Sequence, residues 1–131
     1  MRFMMLMIPQ IEDTPEAWMP DAETIAAMMK YNEQLNQAGV LLAIDGLHSS
    51  ARGARVQFAA DGKATVTDGP FTEAKELIGG YWVIQVRSKE EAVQWATRCP
   101  GRDCVIELRQ IQDAEDFSPE AQAMSEEHGA G

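Results

Sequence analysis

The chain has 131 residues, 45% hydrophobic and 24% charged, with a formal net charge of −10. That length holds one domain and one core, and the acidity repels phosphate backbones, which argues against direct nucleic-acid binding. No apolar run approaches the ~20 residues that a membrane-spanning helix needs.

Residues 2–9 (RFMMLMIP) read as a first strand, apolar on both faces: Phe3, Met5 and Met7 on one, Met4, Leu6 and Ile8 on the other. Pro9, Glu12 and Asp13 follow at once and no small-residue cleavage site is present, so the start reads as strand rather than signal peptide, and a cytoplasmic location is expected. Residues 10–20 form a loop with Pro15 and Pro20 as breakers. Asp21 can cap a helix that runs to about Ala38, with Ile25, Met28, Met29 and Leu35 as its core stripe and Gly39 as its stop. Residues 40–45 (VLLAID) are a second strand. After the loop GLHSSARGA, Asp61-Gly62 marks a hairpin joining 55–60 to 63–68.

GYWVIQV (80–86) is the next strand. Ser88 and Glu91 have capping-box spacing and open a helix to about Arg98, with Ala92, Val93, Trp95 and Ala96 as packing residues. Pro100-Gly101 ends it, and residues 104–111 (CVIELRQI) are the last strand. Cys99 and Cys104 read as two small buried hydrophobes, with no metal-ligand spacing around them. The segment after Arg109 carries six acids and no Lys or Arg; the other fifteen acids and all eleven bases leave the body near −4. The division is therefore a domain over 1–112 and an acidic tail over 113–131, helical in part at most.

Strand, helix, strand, hairpin, strand, helix, strand is the order of an α+β ferredoxin-like sandwich with an inserted β-hairpin. Two helices cover one face of a four-stranded sheet. Strands apolar on both faces need a cover on the other, and a second copy of the chain supplies one. A face-to-face homodimer is expected, with a lined hollow inside.

The chemistry-bearing residues cluster in TVTDGPFTEAKELIGGYWVI (65–84) and in the loop before the hairpin. Gly69 permits unusual backbone and Pro70 restricts it. Asp68 either accepts from nearby amides as an Asx-turn or offers a carboxylate at the mouth of a cleft. Phe71 is a local anchor or a stacking surface for a ligand. Thr72–Glu76 carries mixed charge, as solvated helical turns do. Gly79-Gly80 suggests a bulge or a close approach of another backbone or a ligand, and Tyr81 follows as a ligand-facing candidate. His48 is an exposed loop histidine or a general acid or base. Arg52 and Arg55 attract an anionic ligand or solvate a loop. Glu107 and Arg109 point to the face opposite the helices, toward the expected dimer hollow or toward water. No nucleotide-binding glycine motif, nucleophile elbow or metal cluster is present, and no cofactor is expected.

The strings ADGKATVTDGPFTEAKELIGGYWVIQVRSKEEAVQWA and GVLLAIDGLHSSARGARV, with RFMMLMI and CVIELRQI at the ends, resemble the DGPF branch of the YCII-related family over residues 1–111. The resemblance implies a dimeric α+β barrel, two ferredoxin-like units sheet to sheet. It carries the DGPF acid over as Asp68, with Gly69, Pro70 and Phe71. The related branch has a His on its first helix paired with an Asp; no His lies between Asp21 and Gly39, so that dyad is not carried over. A sigma factor is a candidate partner, because members are often encoded beside alternative sigma factors. Three functions follow as expectations: binding of an unknown small molecule in a cleft of the homodimer, cofactor-free catalysis by Asp68 or His48, or a regulatory interaction module.

Overall fold

The computed structural model describes residues 1–71 and 76–128. The strands are β1 (Arg2–Pro9), β2 (Leu41–Gly46), β3 (Ala54–Phe58), β4 (Ala64–Asp68), β5 (Gly80–Gln85) and β6 (Cys104–Gln110). The helices are α1 (Pro15–Trp18), α2 (Ala22–Gln37), α3 (Lys89–Thr97) and α4 (Pro119–His128). Four strands form one sheet in the order β2-β5-β1-β6, and β3 and β4 form a separate hairpin. Every neighbouring pair in the main sheet is antiparallel. The central strands β1 and β5 are apolar and bury the face toward the helices, while β2, also apolar, lies at the sheet's edge. This is a ferredoxin-like α+β fold with the hairpin inserted between β2 and β5.

The core lies between the sheet and α2 and α3. Phe3, Met5, Trp82 and Ile84 rise from the sheet to meet Tyr31 and Leu35 of α2 and Ala92 of α3. Met5, Leu35 and Ile84 are fully buried, each stabilising by roughly 1.5–3 kcal/mol. Tyr31 keeps its polar tip satisfied: its hydroxyl donates to the Trp95 carbonyl at 2.6 Å. Its ring meets Trp82 edge to face, centroids 5.9 Å apart. Burial pushes the Tyr31 phenol pKa up.

Several local expectations need correction. Asp21 caps α2, its carboxylate accepting from the Thr24 amide at 2.8 Å, and Gly39 ends it at φ +74°. The packing stripe, however, is Met28, Tyr31 and Leu35. Met29 and Ile25 lie off this stripe, 66% and 44% exposed. On α3, Val93 faces water while Ala92 is buried. Ser88 caps α3 by accepting from the Glu91 amide at 3.1 Å, but Glu91 accepts from Arg87 N–H at 2.9 Å. The extended Ser88 backbone presents the preceding amide to the carboxylate rather than its own.

The hairpin turn is wider than Asp61-Gly62 alone, spanning 59–63. Ala59 donates to the Lys63 carbonyl and Asp61 accepts from the Lys63 amide, both at 2.9 Å, with Gly62 at φ +88°. The tail is helical in part, as expected, in α4. Its start is pinned to β1, because Arg2 donates to Asp113 at 2.8 Å. Cys99 and Cys104 are half-buried rather than fully buried. Burial pushes the Cys99 thiol up to about 11 and also raises Cys104.

The sheet's second face carries Met4, Leu6 and Ile8 of β1. Met4 pairs with Val83 and Arg109, Leu6 with Tyr81 and Glu107, and Ile8 with Val105. Glu107 and Arg109 therefore do sit on the face away from the helices, where they pair with each other at 3.3 Å. Val105 is 49% exposed there.

Candidate functional site

Three loops converge beside the end of the sheet where β2 stops and β5 starts. The first runs from β1 into α1 and carries Asp13. The second, 47–53, follows β2. The third, Asp68–Phe71, leaves the hairpin. Asp13 is buried, and its carboxylate accepts from the Ser50 amide at 2.9 Å and from the Ser50 hydroxyl. The same hydroxyl accepts from the Phe71 amide at 3.0 Å. Ser50 thus ties all three loops together. A short helical turn, Ser50–Arg52, holds its carbonyl against the DGPF bend. A Cβ on Gly69 would overlap that carbonyl oxygen, so only glycine fits there. Gly69 also donates to the Gly53 carbonyl at 2.9 Å, which closes the hairpin base. Above the bend, the Arg55 guanidinium lies 4.0 Å from the Phe71 ring centroid, within cation–π range.

Asp68 is the last residue of β4, pairs with Ala54 and is exposed. Its carboxylate accepts no hydrogen bond from the described residues, and neither an Asx-turn nor a bond to His48 is seen among them. His48 is exposed, and its Nε2 lies 3.1 Å from the Arg52 guanidinium. Pro70 is exposed. Of the Thr72–Glu76 run, residues 72–75 lie outside the described residues. Next to this knot, Ser49 is 5% exposed, and its hydroxyl has no partner among the described residues.

A cleft of about 820 Å³ lies at the end of the sheet, and Leu47, which opens the loop carrying Ser50, is part of its lining. Its floor is Met7, Ile44 and Trp82, and one wall is α2 through Thr24, Met28 and Asn32. Asp45, Leu47 and Tyr81 close the opposite rim, with the Asp45 and Tyr81 side chains on the sheet's second face, beside Leu6. Each aromatic residue there is fixed by its polar atom. Trp18 donates to the Leu47 carbonyl at 3.0 Å, Trp82 to Asn32 at 2.8 Å and Tyr81 to Asp45 at 2.6 Å. The bond to Asp45 raises the Tyr81 pKa. The two glycines before Tyr81 are close-approach positions. A Cβ on Gly79 would meet Pro9 Cγ at 2.7 Å and Trp18 at 3.2 Å, and one on Gly80 would meet the Asp45 carbonyl at 3.0 Å. Gly79 bridges two loops, donating to Met7 at 2.7 Å while accepting from Leu47 at 2.9 Å.

Of the residues singled out in the sequence, the structure brings Gly69, Phe71 and Arg55 together in the knot, and Tyr81 to the rim of the cleft with its side chain on the sheet's second face. His48 and Arg52 join each other on the exposed loop. Asp13, Ser50, Trp18, Asn32 and Asp45 escaped the reading. Asp13 sat in a proline-bounded loop, and its partner lies 37 residues away. The one available signal was Asp13 and Trp18 on either side of Pro15, polar and aromatic groups in a segment otherwise read as a spacer. Among the described residues no group of His, Cys, Asp and Glu could hold a metal ion.

The model of the YCII-related domain matches residues 1–115, from β1 through β6. No curated protein matches the chain. A match over that much of the sequence, on a ferredoxin-like sheet with its hairpin and knot in place, is decisive: the chain belongs to the YCII-related domain family.

Proposed function

We propose that the chain binds a small organic molecule in the cleft at the end of the sheet. The observation that carries this reading is the cleft itself: apolar floor, aromatic side chains locked by hydrogen bonds, and a few polar groups converging on one space. Binding sites for small molecules have that make-up. Locked aromatic groups lower the entropy a ligand must overcome. Trp18 and Met28 would touch the ligand directly, while Tyr81, expected from the sequence to do so, holds the rim from the sheet's second face. Gly69, Pro70 and Phe71 act from behind, by holding the loop that supplies the Leu47 wall. The DGPF string at residues 68–71 supports a reading of the chain as one of that branch of the family.

The working unit in this reading is a homodimer with the second sheet faces together. What supports it is apolar surface on that face, Met4, Leu6, Ile8 and Val83, with Val105 and Leu42 about half exposed. Light scattering should give twice the 14.5 kDa chain mass; a single-chain species at micromolar concentration would refute it.

The cleft is tested by thermal shift against a library of small acids, amines and aromatic compounds, since a ligand of the native state raises stability. At least one compound should stabilise the protein. Ala27→Trp, which fills the cleft from the α2 wall, should abolish that shift while the far-UV spectrum stays unchanged. A shift that survives the filled cleft would place the ligand elsewhere.

A further inference from the structure

Sulfur gathers where the loop after α3 meets α2. Cys99 lies just past α3, and Cys104 opens β6. Met28 of α2 is 71 residues from Cys99 in sequence, yet its Sδ stands 4.0 Å from Cys99 Sγ. A Cβ on Gly101 would stand 2.5 Å from Cys104 Sγ and 3.9 Å from Cys99 Sγ. Both thiols therefore border one point, left open because residue 101 is glycine. We propose that Cys99, Cys104 and Met28 form a three-sulfur site for a soft monovalent metal ion, Cu(I). The site shares Met28 with the lining of the cleft but does not depend on what else the cleft binds.

The three residues meet on the helix side of the sheet. Cys104 is two residues before Ile106, which pairs with Met7 and packs toward the core, and Met28 comes down from α2 onto the same layer. Met28 and Cys104 line the cleft, which gives an ion a way in. Cys99 adjoins Met28 and is half-buried. A metal bonded to sulfur at about 2.3 Å holds three such ligands in a plane about 4 Å apart. The Cys99–Met28 pair already has that separation. Cys104, whose sulfur turns about a single bond, closes the triangle.

The ligand set decides the metal. Thiolate and thioether sulfur select Cu(I). Structural zinc takes four ligands, from thiolate, imidazole and carboxylate, and no such group exists among the described residues. Magnesium and calcium need oxygen. One effect opposes binding: burial favours the neutral thiols, so each releases a proton to solvent as the ion enters. Two features offset this. The Gly101 backbone N–H bonds to the Cys99 sulfur and favours its thiolate. The repulsion between the two thiolates is relieved by a cation between them.

The test is anaerobic titration of the reduced full chain with Cu(I), in competition with a chromophoric Cu(I) chelator. The chain should hold a single equivalent, with an ultraviolet thiolate-to-copper charge-transfer band and three sulfur neighbours by X-ray absorption. Cys99→Ser and Cys104→Ser should each abolish the band. Met28→Leu conserves volume and both thiols. It should weaken binding about tenfold or more, at least the loss seen when a residue that only supports a metal ligand is removed, and lower the sulfur count to two. Gly101→Ala keeps every ligand but fills the point between the thiols, and should weaken binding too. Met19→Leu alters an exposed methionine outside the site and should change nothing. Circular dichroism of Met28→Leu and Gly101→Ala separates lost binding from lost fold. Failure of the native chain to hold Cu(I), binding untouched in Met28→Leu, or retention of Zn(II) through gel filtration overturns the assignment. Copper that stays bound in Cys99→Ser is adventitious and overturns it as well.

Discussion

The main sheet and the hairpin are built from the same alternating pattern but are held by opposite means. In the sheet, Met5 and Ile84 are fully enclosed, and side-chain burial supplies the stability. In the hairpin, every residue of β3 and β4 is exposed, including Val56 opposite Val66, and Phe58 at 68%. An isolated two-stranded hairpin is at best marginal in water. What positions this one is its base, where Gly69 bonds Gly53 and Ser50 receives the Phe71 amide. The lesson is that order in this molecule has two sources: apolar contact in the core, and a few hydrogen bonds with one glycine at the arm.

Four substitutions test that division. Leu35→Ala removes a fully buried side chain and should cost about 2–5 kcal/mol of global stability by urea unfolding. A loss under 1 kcal/mol would deny the sheet its dependence on burial. Gly69→Ala forces a Cβ into the Ser50 carbonyl oxygen and should cost up to about 3 kcal/mol, as overpacking does. Its signature should be local: amide exchange in β3 and β4 accelerates more than in β1 and β5. Uniform acceleration would show that arm and sheet open as one unit. Ser50→Ala strips the Phe71 amide and the buried Asp13 carboxylate of a partner and should cost about 1–3 kcal/mol, again felt most in the hairpin. Phe58→Ser should change stability by less than about 0.5 kcal/mol in a lone subunit, as at other exposed positions. A larger loss that grows with protein concentration would mean that a second copy covers the arm.

The sheet was legible in the sequence because its signals are local. Two-faced apolar runs marked β1 and β2, Asp21 and Gly39 bracketed α2, and Ser88 opened α3. The family resemblance rested on the same kind of contiguous string. The site was only half legible. The DGPF string drew attention to Asp68, an acid with an obvious reactive group, whereas the structure gives the mechanical role to Gly69, the residue with no side chain. Its counterpart Ser50 looked like filler beside His48. The cleft takes its walls from α2, β1, β2, β5 and the loop after α3, a juxtaposition no window of sequence contains. Ile25 and Met29 failed as core residues for a related reason: helical periodicity tells which side of α2 is apolar, but not how far the sheet extends beneath it.

The placement of the three tryptophans gives the molecule its own set of optical reporters. Trp82 is buried at the cleft floor with its indole bonded to Asn32, Trp18 lines the cleft nearer solvent, and Trp95 lies on α3 with the Arg98 guanidinium 4.8 Å from its ring. Single-tryptophan versions, with the others changed to phenylalanine, would therefore emit from three distinct surroundings. Quenching by acrylamide would reach Trp18 and spare Trp82. One fluorimeter could then follow the outer cleft through Trp18, its floor and the core through Trp82, and the outer helix through Trp95, each in its own variant.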